Sequence, residues 1–91
     1  ILFYNMDINQ LIRIVKKKIT ENIIIQEINI EDKTFLHSKH SSHQKEKFHI
    51  KLIIESLELK KKNKIESTKI IYKILNEEMR KYIHSIQILI K

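Results

Sequence analysis

The sequence contains no cysteine, no glycine and no proline. Each absence closes off a class of chemistry. Without cysteine there is no disulfide, no thiolate nucleophile and no thiolate metal ligand from this chain. Without glycine there is no phosphate-cradling loop and no GxGxxG fingerprint, because both need backbone that only glycine adopts freely. Long apolar runs are missing too. The longest are three or four residues, far short of the roughly 20 needed to span a bilayer. No Ser-His-Asp or Cys-His pattern is present. The two carboxylates of Glu77 and Glu78 sit next to each other in a helical stretch, about 100° apart around the axis, so they do not face one another as an acid/base pair would. They read as an exposed helix face, and an enzyme is not expected.

What is present is a short, basic chain. Its 91 residues carry a formal net charge of +7. A chain this size buries only about 60–65% of its unfolded surface, so its core is modest. Ile, Lys, Asn and Glu dominate, as an AT-rich genome produces. The positive charge therefore has two readings: codon bias, or an acidic or nucleic-acid partner. The lysines are dispersed except for KKKNK at 60–64. The opening ILFYNM has no initiator methionine, which leaves room for a trimmed targeting segment.

Apolar periodicity orders the chain. Residues 1–6 form a tail and 7–91 one domain. DINQLIRIVKKKIT, 7–20, predicts a helix with Asp7 as N-cap and a stripe of Ile8, Leu11, Ile12, Val15 and Ile19. Lys16, Lys17 and Lys18 fall in its last turns, where cations suit the helix dipole. IIIQEINIE, 23–31, reads as a strand. Residues 32–46 are a long polar loop. KFHIKLIIES, 47–56, is a second strand, with Phe48, Ile50, Leu52 and Ile54 facing in and His49, Lys51 and Glu55 facing out. Residues 57–65 are a charged connector with room for an extra helical turn. Residues 66–82 predict a helix capped at Ser67 or Thr68, with Ile71, Leu75, Met79 and Tyr82 buried. Tyr72 and Tyr82 read as core or core-edge residues. Residues 83–90 close the chain as a third strand. The whole is an α/β (α+β) fold in the order α-β-β-α-(α)-β, a three-stranded sheet packed on helices.

Five histidines stand out, four of them in FLHSKHSSHQKEKFHI, 35–50. His37, His40 and His43 repeat as H-x-x-H-x-x-H on a loop, where spacing fixes no geometry. A mononuclear zinc site from these three is one reading, although structural zinc normally takes thiolates or a well-spaced fourth ligand. Solvated loop histidines are another. His49 reads as a surface residue on the outer strand face. His84, taken alone, reads as a helix-end histidine stabilised by the last carbonyls.

KIIYKILNEEMRKYIHSIQILIK, 69–91, resembles the C-terminal signature of BolA-like proteins. That signature is a basic residue, aliphatics with an aromatic, an acidic pair, then Ile/Val-His-small entering the last strand. Lys69, Ile71, Tyr72, Leu75, Glu77, Glu78, Ile83, His84 and Ser85 match it in register. Asp32, Thr34 and His37 resemble the family's acidic–x–Ser/Thr–x–x–His stretch, and Phe48 and Ser56 its second strand. The chain departs where the family has Arg-His-Arg, reading Ser67-Thr68-Lys69; where it has a histidine before the strand Phe, reading Lys47; and where its connector carries a glycine.

The resemblance implies a class II KH-like topology and a partnership with a monothiol glutaredoxin. A 2Fe-2S cluster would bridge the two proteins, with a glutaredoxin thiolate and glutathione on one side. His84 and His37 would ligate from this chain, His40 being the alternative loop ligand. The isolated chain would be a monomer and hold no cluster. The resemblance also implies a reducing intracellular compartment, cytoplasmic or mitochondrial. Some family members regulate transcription, so nucleic acid is the alternative partner, met by Lys60, Lys61, Lys62, Lys64 and Lys69. The GxxG mode of single-strand binding is closed to a chain without glycine.

Overall fold

The structure, a computed structural model, describes residues 6–34 and 47–91. Helix α1 (Ile8–Asn22) begins at Asp7, whose side chain accepts from the Gln10 N–H while the Gln10 side chain accepts from the Asp7 N–H. This reciprocal box satisfies two of the helix's orphan donors. Leu11, Val15 and Ile19 are wholly buried on one face. The helix runs two residues beyond the predicted Thr20, so the three lysines are not in its last turn. Lys18 instead reaches Glu78 at 2.6 Å.

Strand β1 (Glu27–Asp32) starts four residues later than the sequence suggests. Ile23 and Ile24 are spent on the turn out of α1, one buried in the core and the other exposed. Strand β2 (Phe48–Glu55) pairs antiparallel with β1, Ile28 opposite Ile54 and Asp32 opposite Ile50. Strand β3 (Ile83–Ile90) pairs parallel with β2 on its other side, giving the order β1-β2-β3. A parallel return needs a long crossover, and the helices between β2 and β3 supply it. Ile50, Leu52 and Ile54 turn into the core against α1 and the crossover helices.

The crossover differs from its predicted form. The 57–65 connector contains a short helix, α2 (Leu57–Lys60), capped by Ser56. Helix α3 (Lys64–Ile74) is capped by Asn63, not by Ser67 or Thr68. Ser67 is buried in the helix and donates to the Leu59 carbonyl. The Asn63 side chain accepts from the Glu66 N–H at 2.8 Å, the ordinary capping bond. The stretch predicted as one helix is broken at Leu75, and α4 (Asn76–Lys81) follows. Ile71 and Leu75 are buried as expected. Tyr82 is half-buried, whereas Tyr72 is 40% exposed and lies outside the core. Glu77 is exposed, but Glu78 is 2% exposed, so the acidic pair is not one solvated face. Their separation around the helix sends one out and one inward to Lys18. Among the described residues no helix is long and apolar enough to cross a membrane.

Candidate functional site

The site is built where β3 begins. Phe48 pairs with Ile83, but the next residue of β2, His49, pairs with Ser85. His84 is therefore an extra residue in β3, a bulge. Bulges re-aim a side chain out of the regular pleat and occur often beside functional sites. The Phe48 N–H bonds the Tyr82 carbonyl at 2.8 Å, which fixes the strand's entry immediately before the bulge.

His49 is the residue that sequence reasoning misplaced. Alternation puts it on the outer face of β2, and outer usually means wet. Instead it is 8% exposed. Its Nδ1 lies 2.6 Å from Ser85 Oγ and its Nε2 lies 3.2 Å from His84 Nδ1. The His84 ring stands edge-on to it, centroids 4.8 Å apart and planes at 87°. Period-two patterning assigns a face; it does not say what covers that face, and here the covering groups belong to the site. The sequence carries only its nearness to the other histidines as a signal; the rest is seen only in the strand pairing. His49 lies at the end of the histidine-rich stretch, and a bulge at the Ile-His-Ser entry brings it to His84.

The result is a chain of three polar side chains, Ser85–His49–His84. His84 is exposed. Among the described residues nothing hydrogen-bonds its Nε2, while Nδ1 is held by His49. That is the donor pattern of a metal-ligating imidazole, one nitrogen anchored and the other open. These residues offer one open nitrogen donor, so the described residues could supply only part of a metal site, and any thiolate would have to come from another molecule.

The long loop leaves and rejoins the fold beside this chain. The His49 N–H bonds Thr34 Oγ1 at 3.1 Å, and its carbonyl accepts from the Lys33 N–H at 2.7 Å. Thr34 itself is held by Asp32, whose carboxylate accepts its N–H at 2.9 Å. The proposed ligand His37, its alternative His40, and His43 lie outside the described residues. Among the described residues no three His, Asp or Glu side chains converge to hold a metal ion. A groove of about 360 Å³ opens next to His49, lined by Lys33, Lys51, Ser85 and Gln87.

The lysines form a separate feature. Lys60, Lys62 and Lys64 line a cavity of about 250 Å³ with Thr68 and Leu89, at the far end of β3. Lys61 and Lys69 are exposed.

Comparison with known proteins supports the topology. Residues 19–91 match the family model described as BolA-like protein. Among solved structures, the BolA domain of SufE1 from Arabidopsis thaliana superposes with a TM-score of 0.72 at 23% identity, over 87% of each chain. BolA1 from Arabidopsis thaliana gives 0.73 at 21% identity, covering 100% of this chain and 93% of the other. No curated protein sequence matches the chain significantly.

Proposed function

This chain belongs to the BolA-like family, and from that premise we propose that it is an adaptor which docks on a monothiol glutaredoxin and co-ligates a bridging 2Fe-2S cluster as cargo. Its family is one of adaptor and regulatory proteins, not of enzymes. His84 supplies a nitrogen through Nε2. A loop histidine, His37 or in its place His40, supplies the second. The glutaredoxin and glutathione supply the thiolates that this chain lacks. Imidazole in place of thiolate on one iron raises a cluster's potential.

One observation carries the reading. His84 stands on a bulge with Nδ1 anchored and Nε2 without a partner among the described residues, beside both ends of the histidine-rich loop. His37 lies three residues beyond Thr34 in the sequence, and the Thr34 hydroxyl accepts the His49 N–H. The groove beside it carries Lys33 and Lys51, which suits an anionic tripeptide such as glutathione.

The test is reconstitution. The protein is mixed with a monothiol glutaredoxin, glutathione, iron and sulfide, and followed by visible absorbance and circular dichroism. A spectrum distinct from that of the glutaredoxin homodimer, abolished by His84→Ala and weakened by His37→Ala, is expected. A spectrum indifferent to the added protein would end the proposal.

A second reading has its own observation: Lys60, Lys62 and Lys64 gather on one cavity wall, as phosphate-binding lysines would. It predicts nucleic-acid affinity that falls steeply with salt and does not discriminate sequence.

A further inference from the structure

The geometry points to His49 as the positioning residue of the site: it accepts the Nδ1–H of His84 and thereby leaves the Nε2 lone pair of His84 facing outward as the donor to iron. The inference rests on the ligand role proposed above for His84.

The three-residue chain admits two proton arrangements. In the first, the Ser85 hydroxyl donates to His49 Nδ1, His49 Nε2–H donates to His84 Nδ1, and His84 carries its own proton on Nε2. In the second, His84 Nδ1–H donates to His49 Nε2, and His49 Nδ1–H donates to Ser85 Oγ. A neutral imidazole has one donor and one acceptor nitrogen, so the direction propagates along the whole chain. Only the second arrangement leaves His84 Nε2 able to bind a metal. Second-sphere partners of ligating histidines work in this way, fixing tautomer and ring orientation together.

His49 is held as such a partner must be. Its backbone is bonded on both sides by the Lys33–Thr34 segment. Its ring is gripped at Nδ1 by Ser85, the residue directly across the ladder. It is not itself the open ligand. It is buried, and both of its nitrogens are engaged within the chain. The bulge matters here because the inserted residue is the one whose ring reaches the second nitrogen of His49.

The experiment has two readouts. The first uses the apo protein, with both rings neutral, and records the ring-nitrogen NMR shifts of His84 in wild type, His49→Phe, His49→Gln and Ser85→Ala. Wild type is expected to hold the His84 proton on Nδ1. His49→Phe keeps a ring but no acceptor and moves the proton toward Nε2; His49→Gln keeps an amide oxygen as acceptor and restores the wild-type pattern. Ser85→Ala, at an exposed position, removes a hydroxyl that serves either arrangement and should leave the proton on Nδ1; the wild-type shifts alone keep the idea testable if His49→Phe does not fold. The second readout is the affinity of the cluster-bridged complex with glutaredoxin. His49→Phe is expected to lower it roughly 10–100-fold, as loss of a second-sphere partner does, with His49→Gln recovering most of it. A His84 proton already on Nε2 in wild type, or shifts indifferent to His49→Phe, would overturn the inference. If His84→Ala abolishes the complex while His49→Phe leaves it intact, the positioning role falls and the ligand role of His84 stands. If His84→Ala has no effect, both fall.

Discussion

The two ends of β3 solve different problems. At its start, His84 and Ser85 join His49 in a bonded chain with the two imidazole rings T-shaped to one another. At its finish, five residues on and roughly 17 Å away along the strand, Leu89 meets a cavity walled by Lys60, Lys62 and Lys64. No ion pair among the described residues engages those lysines. Coordination demands a nitrogen at a set place and angle, so the first end is tied by short contacts. Charge attraction acts over a Debye length of about 8–10 Å and tolerates mobile side chains, so the second end needs no such ties. On the proposed reading the first end would offer a nitrogen to a metal, and the second would at most attract an anion. The two functional readings divide along the same line and can be separated by experiment.

The largest effect belongs to the first end. His84→Ala should abolish the bridged-cluster spectrum with glutaredoxin and leave binding to a double-stranded DNA probe unchanged, measured by fluorescence anisotropy. If the DNA affinity fell as well, the two ends would be one surface and the contrast would fail.

Next comes the strut that supports that end. Glu78 is 2% exposed and pairs with Lys18 of α1, and its backbone carbonyl accepts the Tyr82 N–H just before His84. Its Oε1 has no hydrogen-bond partner among the described residues. Removing one partner of a buried pair strands the other charge, whereas replacing both with apolar groups is often neutral. The Lys18 side chain is 36% exposed, so solvent screens part of the stranded charge, and Lys18→Met should cost about 2 kcal/mol in urea unfolding. The double variant Lys18→Met/Glu78→Leu should regain most of that. A double variant as unstable as the single would mean that the ion pair is a net contributor in its own right.

How these features could be seen in advance follows from their physics. The stripe of α1 and the alternation of β2 and β3 were legible because burial imposes a period, and Leu11, Val15, Ile19, Ile50, Leu52 and Ile54 obey it. The cap at Asn63 was missed because Ser67 and Thr68 are also good capping residues; only the fold shows that Ser67 is needed at the Leu59 carbonyl. Glu78 reads as exposed from sequence because its partner lies sixty residues earlier. His84 was legible through its motif. His49 was not, because the bulge that unites the two histidines is a property of strand pairing and leaves no period in either strand.

A smaller effect tests the second end for structure of its own. Ser56 is fully buried, donating to the Ile24 carbonyl at 2.9 Å and accepting from the Leu59 N–H at 3.2 Å. It ties α2, and with it the lysines, to the start of the sheet. Ser56→Ala leaves both groups unpaired and should cost about 1–2 kcal/mol. Faster hydrogen exchange should be confined to α2 and the turn after α1, with the cluster spectrum unchanged. Loss of the cluster in this variant would show that the ends communicate through the sheet.

The smallest effect is that of the lysines themselves. Each is exposed, and an exposed charge contact contributes less than about 1 kcal/mol at physiological salt. Single substitutions are therefore poor probes, and the salt dependence is the better one. If Lys60, Lys62 and Lys64 each meet a duplex phosphate, changing all three to Gln should reduce the slope of log affinity against log salt by roughly 2.7. The reconstituted cluster should form as in wild type. A slope that does not change returns the lysines to a solvated surface and makes the charge of +7 a matter of composition. A triple variant that fails to join glutaredoxin would instead give the lysines to the partner protein. The contrast between the ends would then survive in a different form, with one end holding the cluster and the other holding the protein that delivers it.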